Sequence, residues 1–338
     1  MKHEVILELG RIGRTWGYDL GWESICKADI EIWKSAEQLF NKKSYFHEDM
    51  EIKLSVDLSL ITNWYEGFYQ RGLSKESKYL DAWSGRLAFT VEFLGGDDSK
   101  KKNTHYARHF VEKFIYDIFI VMNLSLPGSC EFLNLIFDED NYQLRGRLLL
   151  SSYNFENGHL AFLRGDSIAP KTISIEKTFQ WYESLNLSVK QKSDSNLESA
   201  IFALLHICKS NMDVTSIVWM FHALEAIYKA RVGENFTNLI CRMAFLFGFN
   251  SKQENFLKKE LRKIYDLRSS FVHGGYKIYH PMENEQLDPR VSEHRYKEYE
   301  ACQVGFDLVV LSLQRLIEMG WVGIELREEI LGISLNKE

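Results

Sequence analysis

The sequence predicts an α+β protein: an N-terminal antiparallel, β-rich part with one or two helices, followed by an all-α helical bundle. Three observations predict it. Apolar and polar residues alternate with period two from Glu51 to Leu60 and again from Leu87 to Phe93, the mark of half-buried strands. After Lys190 the alternation stops, and apolar residues recur at helical spacing as far as Met319. Between the two patterns, Lys190–Asn196 is a charged stretch with no apolar residue. The length agrees, since 338 residues make about two domains at ~150 residues each. The expected division is a domain over 1–190 and a helical domain over 194–335.

In the first part, Ile6–Leu9, Glu51–Leu60, Leu87–Phe93 and Leu144–Leu150 are the predicted strands, the third closed by Gly95 and Gly96. Asn157-Gly158 before Leu160 predicts a hairpin turn. Tyr106–Asn123 predicts a helix stopped by Pro127 and Gly128, and Asp97–Asn103 predicts a polar loop. The second part reads as five helices. The first has Ser195 and Glu198 in capping-box spacing and a stripe of Leu197, Ile201, Leu204, Leu205 and Cys208. The second opens at Asp213 and carries Ile217, Phe221, Leu224 and Tyr228; the third spans Thr237–Phe247, capped by Gly248. The fourth opens on a second capping box, Ser251 and Glu254, and runs to His273, where Gly274 and Gly275 end it. The fifth runs from Glu293 to Met319 and closes at Gly320. About 140 residues suffice for a core of their own.

Composition excludes several classes. Hydrophobic residues are 45% and charged residues 26% of the chain, with only 4 Pro, which rules out a disordered, collagen-like or Pro-rich protein. There are 41 Lys and Arg against 47 Asp and Glu, a net charge of −6. Residues 194–338 hold 17 of those cations and 20 of those anions, so both parts are equally acidic. A site for a polyanion therefore has to be a small local patch. The 5 Cys are widely spaced with no CxxC pair, which predicts buried reduced thiols. The first residues lack the apolar core of a secretory signal. Phe114–Leu126, the most apolar run, is too short to cross a bilayer and carries Asp117. The expectation is a cytoplasmic protein with no membrane partner.

Two segments carry residues suited to chemistry. Glu225 follows Phe221 at i+4 and Ile217 at i+8, which puts a carboxylate on or beside an apolar stripe, where it needs a cationic partner such as Arg242 or Arg268. The fourth helix ends Tyr265-Asp-Leu-Arg268-Ser269-Ser-Phe-Val-His273-Gly274-Gly275. Arginine clamps a phosphate with its planar fork, and histidine moves protons near neutral pH.

At these residues the chain resembles the HEPN (higher eukaryotes and prokaryotes nucleotide-binding) domain family. Arg268-x4-His273-Gly274 matches its Arg-x(4–6)-His motif. The flanking segments look most like the ApeA-like, abortive-infection branch: Ala223-Leu224-Glu225, then Arg242-Met243-Ala244-Phe245-Leu246-Phe247-Gly248, then Tyr265 through Gly274. Many members have Asn, Asp or His after the motif arginine, and this chain has Ser269. The resemblance spans about residues 194–335. It implies a metal-independent endoribonuclease, a toxin or anti-phage effector, in which the 2′-OH of RNA attacks the adjacent phosphate. Arg268 would hold the phosphate and His273 would be the general acid or base, with Glu225, Ser269 and Arg242 orienting them. It implies single-stranded RNA, such as a tRNA loop, as substrate. It also implies a homodimer through the helical domain and a phage-derived or protein trigger at the N-terminal domain. The alternative is a non-catalytic dimerisation module that binds nucleotide, RNA or protein.

The helix itself adds a constraint. Five residues at ~100° each put Arg268 and His273 about 140° apart, so one chain makes a poor enclosed site. Lys258, Lys259, Arg262 and Lys263 form a basic stripe that either guides an RNA backbone or is a solvated helix face. His105 and His109 have the i, i+4 spacing that can hold zinc, but no third ligand completes a set, and neither metal nor cofactor is expected. His206 and His222 lie in helical stripes and read as packed core residues. Gly10, Gly13 and Gly17 fit no phosphate-loop pattern and read as a turn.

Overall fold

The computed structural model of the chain describes residues 1–9, 21–73, 85–96, 98–138, 147–166, 168–209, 214–230, 236–280, 282 and 284–326. The predicted turn at Gly10–Gly17 and the predicted helix start at Asp213 lie outside them. The fold is α+β, as the sequence predicts.

Six strands form one antiparallel sheet: β1 (Lys2–Leu9), β2 (Lys42–His47), β3 (Met50–Val56), β4 (Gly85–Gly95), β5 (Phe132–Asp138) and β6 (Arg147–Leu150), in the order β2-β3-β4-β1-β5-β6. β4 pairs in register with both β1 and β3, Val5 opposite Phe89 and Leu54 opposite Val91. The alternation read from Glu51 onward is the pleat of β3, but the strand stops at Val56 instead of Leu60. Asp57 accepts the Ser59 N–H at 3.0 Å, a local turn that starts a helix in place of further pairing.

That helix, α2 (Ser59–Leu73), is one of six among the described residues before Lys190. The others are α1 (Trp22–Phe40), α3 (Asp98–Lys101), α4 (Thr104–Ser125), α5 (Tyr153–Leu163) and α6 (Ile175–Ser184). One or two helices were expected. The expected polar loop at Asp97–Asn103 holds α3, and the expected hairpin at Asn157-Gly158 is the middle of α5. Gly158 is there for packing: a Cβ on it would sit 2.4 Å from Asp307 Oδ1 and 2.9 Å from Pro170 Cδ. Asn157 bonds back to the Tyr153 carbonyl at 2.9 Å, within the helix.

α4 is the centre of the molecule. Every residue from Asp117 to Ser125 is buried, because the sheet, α1, α6 and the long C-terminal helix pack around it. A helix apolar on all sides is a core helix, and no helix among the described residues is long and apolar enough to cross a membrane. Its one buried acid, Asp117, accepts hydrogen bonds from the Tyr45 and Tyr182 hydroxyls at 2.7 Å each and pairs with Lys113. Burial raises both tyrosine hydroxyls well above their ordinary range.

The C-terminal helices are α7 (Asn196–Lys209), α8 (Val214–Ile227), α9 (Phe236–Phe247), α10 (Ser251–Val272) and α11 (Arg290–Met319). Ser195 caps α7 as read, accepting the Glu198 N–H at 3.2 Å, while the Glu198 carboxylate reaches the Asp194 N–H and Lys190. The cap of α10 is displaced by one residue from the reading: Asn250 and Gln253 form the capping box, not Ser251 and Glu254. The Asn250 side chain takes the Lys252 and Gln253 N–H groups at 3.1 and 3.0 Å. α11 begins three residues before the predicted Glu293. Asp288 accepts the Arg290 N–H at 3.1 Å there, and the Arg290 guanidinium holds that carboxyl down at about 2. Gly248 and Gly320, at φ of 66° and 68°, close α9 and α11 in the left-handed conformation that glycine adopts without strain.

One hydrophobic cluster runs from Val5 in β1 through α4 to Ile317 in α11. The change of pattern at Lys190 is thus a change of local structure over a continuous core. Of the five cysteines, Cys241 is exposed, which departs from the expectation of buried thiols; the other four are buried and none forms a disulfide. His206 and His222 are also exposed, not core. His206 stacks on Trp219 with centroids 4.3 Å apart, and His222 meets the same indole edge-on.

Candidate functional site

The motif residues meet where α8 and α10 pack together. On an ideal α10, Arg268 falls on the same side as the buried Leu257, Leu261 and Ile264. Its guanidinium therefore points toward the bundle. Arg268 Nη1 donates to Glu225 Oε1 at 3.2 Å, and the guanidinium carbon lies 5.1 Å from the centre of the Phe221 ring. Phe221 and Glu225, four residues apart on α8, are the floor and the wall of this seat. Of the two arginines offered as the partner of Glu225, the structure selects Arg268.

The seat is only partly filled. The Arg268 side chain is 29% exposed, and its Nε is buried with no hydrogen-bond partner. A guanidinium has five N–H donors, and Glu225 takes one of them. With both partners this exposed, the pair contributes on the order of 1 kcal/mol or less to folding.

His273 is the C-cap of α10, with φ −99° and ψ 12°. Its backbone N–H donates to the Ser269 carbonyl at 3.0 Å. Gly274 follows at φ 76°, and the N–H groups of Gly275 and Tyr276 both reach the Ser270 carbonyl, at 2.8 and 2.9 Å. This turn ends the helix abruptly and leaves the imidazole exposed at the carbonyl end of the helix dipole. Tyr276 then bonds to Glu298 of α11, fixing the exit of the chain. Ser269 is half-buried on the turn between the two motif residues.

Arg242 lies elsewhere. From α9 it donates to the Tyr228 and Lys229 carbonyls at 3.1 and 3.0 Å, so it caps the C-terminus of α8. It acts on the site only by fixing the helix that carries Glu225. Replacing it with alanine should lower the unfolding free energy by about 1 kcal/mol, read from denaturant melts, and leave the Glu225–Arg268 pair in place.

The basic stripe divides. Lys263 pairs with Glu260 at 2.8 Å and Arg262 with Asp266 at 3.2 Å, both within α10. Arg262 also lies over the rings of Phe236 and Tyr265. Lys258 and Lys259 are exposed and form no ion pair with a described residue. Helical geometry puts Lys259, Arg262 and Lys263 across α10 from Arg268, toward the side of His273, and Lys258 about 80° from Arg268.

No group of three or more His, Cys, Asp or Glu among the described residues is placed to hold a metal ion. His109 lines an open cleft of about 610 Å³ between α4 and α7, with His47, Lys113, His206 and Lys209. Sequence reading missed Phe221 as part of the arginine seat, although its i, i+4 relation to Glu225 was visible.

Comparison of the chain with protein-family models, curated proteins and solved structures returns no match.

Proposed function

We propose that the chain is a metal-independent endoribonuclease of HEPN type. The observation that carries the proposal is the arrangement at the end of α10. A guanidinium is steadied by Glu225 and Phe221 yet keeps donors unfilled, and an exposed imidazole stands five residues later at the helix end. Free donors on a fixed arginine suit a phosphate, whose negative charge grows as the 2′-OH attacks. The imidazole is the proton carrier.

The cleavage transfers two protons. One leaves the 2′-OH as it bonds to phosphorus, and one joins the departing 5′ oxygen, giving a 2′,3′-cyclic phosphate and a 5′-OH. One chain offers one motif histidine, on the far side of α10 from the arginine. A homodimer through the helical domain brings a second Arg268 and His273, so that one imidazole takes a proton while the other gives one. Lys258 and Lys259 are the cations left to track the RNA backbone.

The test is direct. The purified full chain should elute as a dimer and cut a single-stranded RNA in EDTA, leaving 2′,3′-cyclic phosphate ends. A substrate with 2′-deoxyribose at the cut site should resist. Cleavage that needs added metal, or that continues at the deoxy position, would overturn the mechanism.

One observation favours a second reading. Arg268 is already engaged with Glu225, as in a module that binds nucleotide, RNA or protein without cutting. In that case the same RNA would be retained in a filter or gel-shift assay and recovered intact.

A further inference from the structure

A groove of about 1080 Å³ lies between α5, α10 and α11, on a side of α10 that Arg268 does not face. Tyr299, Gln303 and Asp307 follow one another at i, i+4 and i+8 along α11 and line it. Asp307 is 4% exposed. Gln303 Nε2 donates to Asp307 Oδ1 at 2.8 Å and to the Asn154 carbonyl at 2.9 Å. Beyond that bond Asp307 has no donor and no ion pair among the described residues, although Arg164 and Lys297 line the same groove. Gln303 Oε1 is buried and lacks a hydrogen-bond partner, and so does Asn154 Oδ1, on the turn of α5 that meets Gln303.

Asp307 and Gln303 thus line the groove with more acceptor oxygens than donors, and Asn154, whose carbonyl Gln303 bonds, carries another unmatched oxygen. A buried acceptor left unmatched is unfavourable, and an unmatched carboxylate more so. Burial accordingly pushes the Asp307 carboxyl well above the usual carboxylate range. The glycine at 158 is part of the arrangement, since any side chain there would strike the Asp307 carboxyl. Leu160, Leu267 and Val304 give the groove an apolar strip, Tyr299 supplies a ring, and charged residues such as Glu260, Asp266 and Glu300 line the rest. That strip suits the methylene stem of a long cationic group, and the floor suits a planar head with several N–H donors.

We propose that this groove binds a guanidinium-bearing ligand, with its cationic head on Asp307 and Gln303 and its aliphatic stem along Leu160 and Val304. The ligand is either a free alkylguanidine or the arginine of a protein segment. Because Leu267 and Ser270 of the groove flank Arg268 in sequence, the occupant would touch the turn that carries the motif arginine. The proposal does not depend on the nuclease reading, because binding is measured without RNA.

The experiment is calorimetric titration of the full chain with agmatine, with 1-butylurea as the neutral control, and with a short peptide holding one arginine. Agmatine or the peptide should bind saturably with Kd below about 1 mM, and 1-butylurea should not bind. Asp307→Asn keeps the shape and should weaken binding at least about tenfold without lowering the melting temperature. Ala161→Trp, which fills the groove and leaves Asp307 intact, should do the same. Tighter binding of the peptide names a protein segment as the source, and tighter agmatine names a small molecule. Equal binding of 1-butylurea, binding untouched by Asp307→Asn, or no heat from any compound at about 10 mM overturns the proposal and leaves Asp307 as a protonated packing residue.

Discussion

On the proposed ribonuclease reading, Arg268→Ala should reduce RNA cleavage by about 10²–10³-fold while the protein stays folded, and His273→Ala should reduce it by about 10²–10⁴-fold. The two losses differ in kind. In that mechanism the arginine stabilises charge on the phosphate, so its removal should raise the barrier at every pH. In the same mechanism the histidine moves protons, so its removal should also abolish the rise and fall of rate with pH. Arg268→Lys tests the fork: a lysine keeps the charge but cannot offer paired N–H groups, and activity should stay far below the original. Folding should survive each change, because His273 is exposed and the Arg268–Glu225 pair is partly in solvent. Glu225→Gln should give a smaller loss, since glutamine can still accept the 3.2 Å bond without offsetting the charge. Circular dichroism and melting temperature monitor the fold. Total RNA from expressing cells and cleavage of a defined oligonucleotide read the activity. Variants that cut as fast as the original protein would remove Arg268 and His273 from the chemistry.

Much of this site was legible in the sequence, for a physical reason. Arg268, Ser269 and His273 lie within the last turn and a half of one helix, and short spacings on a helix translate directly into geometry. Glu225 was legible as a carboxylate beside an apolar stripe. Its choice of Arg268 over Arg242 was not, because that depends on how α8, α9 and α10 pack. The partition of the basic stripe followed from i, i+3 and i, i+4 pairs, Lys263 with Glu260 and Arg262 with Asp266, and could have been read in advance. The same holds for α1, whose Cys26, Ile30, Trp33 and Phe40 form an ordinary buried stripe. Asn157-Gly158 misled for a different reason. Locally the pair is a strong turn signal, but tertiary contact with Asp307 and Pro170 demands a glycine inside a helix, and periodicity carries no trace of that demand. The sheet order is likewise invisible to pattern: β1 lies between β4 and β5, pairings set by the arrangement of the chain as a whole.

Asp117→Ala should be the most damaging single change to the fold, at roughly 3–5 kcal/mol. In the sequence Asp117 served only as a charge that argues against a membrane span, and the structure makes it a fastening. It joins three elements: Tyr45 from β2, Lys113 on its own helix α4, and Tyr182 from α6. Asp117 is 2% exposed and the Lys113 side chain 13%. Alanine would leave a nearly buried ammonium without a counter-charge and two tyrosine hydroxyls without their acceptor, besides a small cavity. Tyr45→Phe and Tyr182→Phe each remove one hydrogen bond and leave the ion pair, so each should cost only about 1 kcal/mol. The ordering decides between a network and a simple packing loss. If the carboxylate is the hub, the Asp117→Ala loss will far exceed either phenylalanine change. Adding Tyr182→Phe to Asp117→Ala should then cost less than it does alone, because the hydroxyl has already lost its partner. Total stabilities of 5–15 kcal/mol make a 3–5 kcal/mol loss visible as a large drop in melting temperature or as failure to accumulate in cells. An Asp117→Ala protein within about 0.5 kcal/mol of the original in denaturant melts would show that the sheet, α4 and α6 are held together by apolar packing alone.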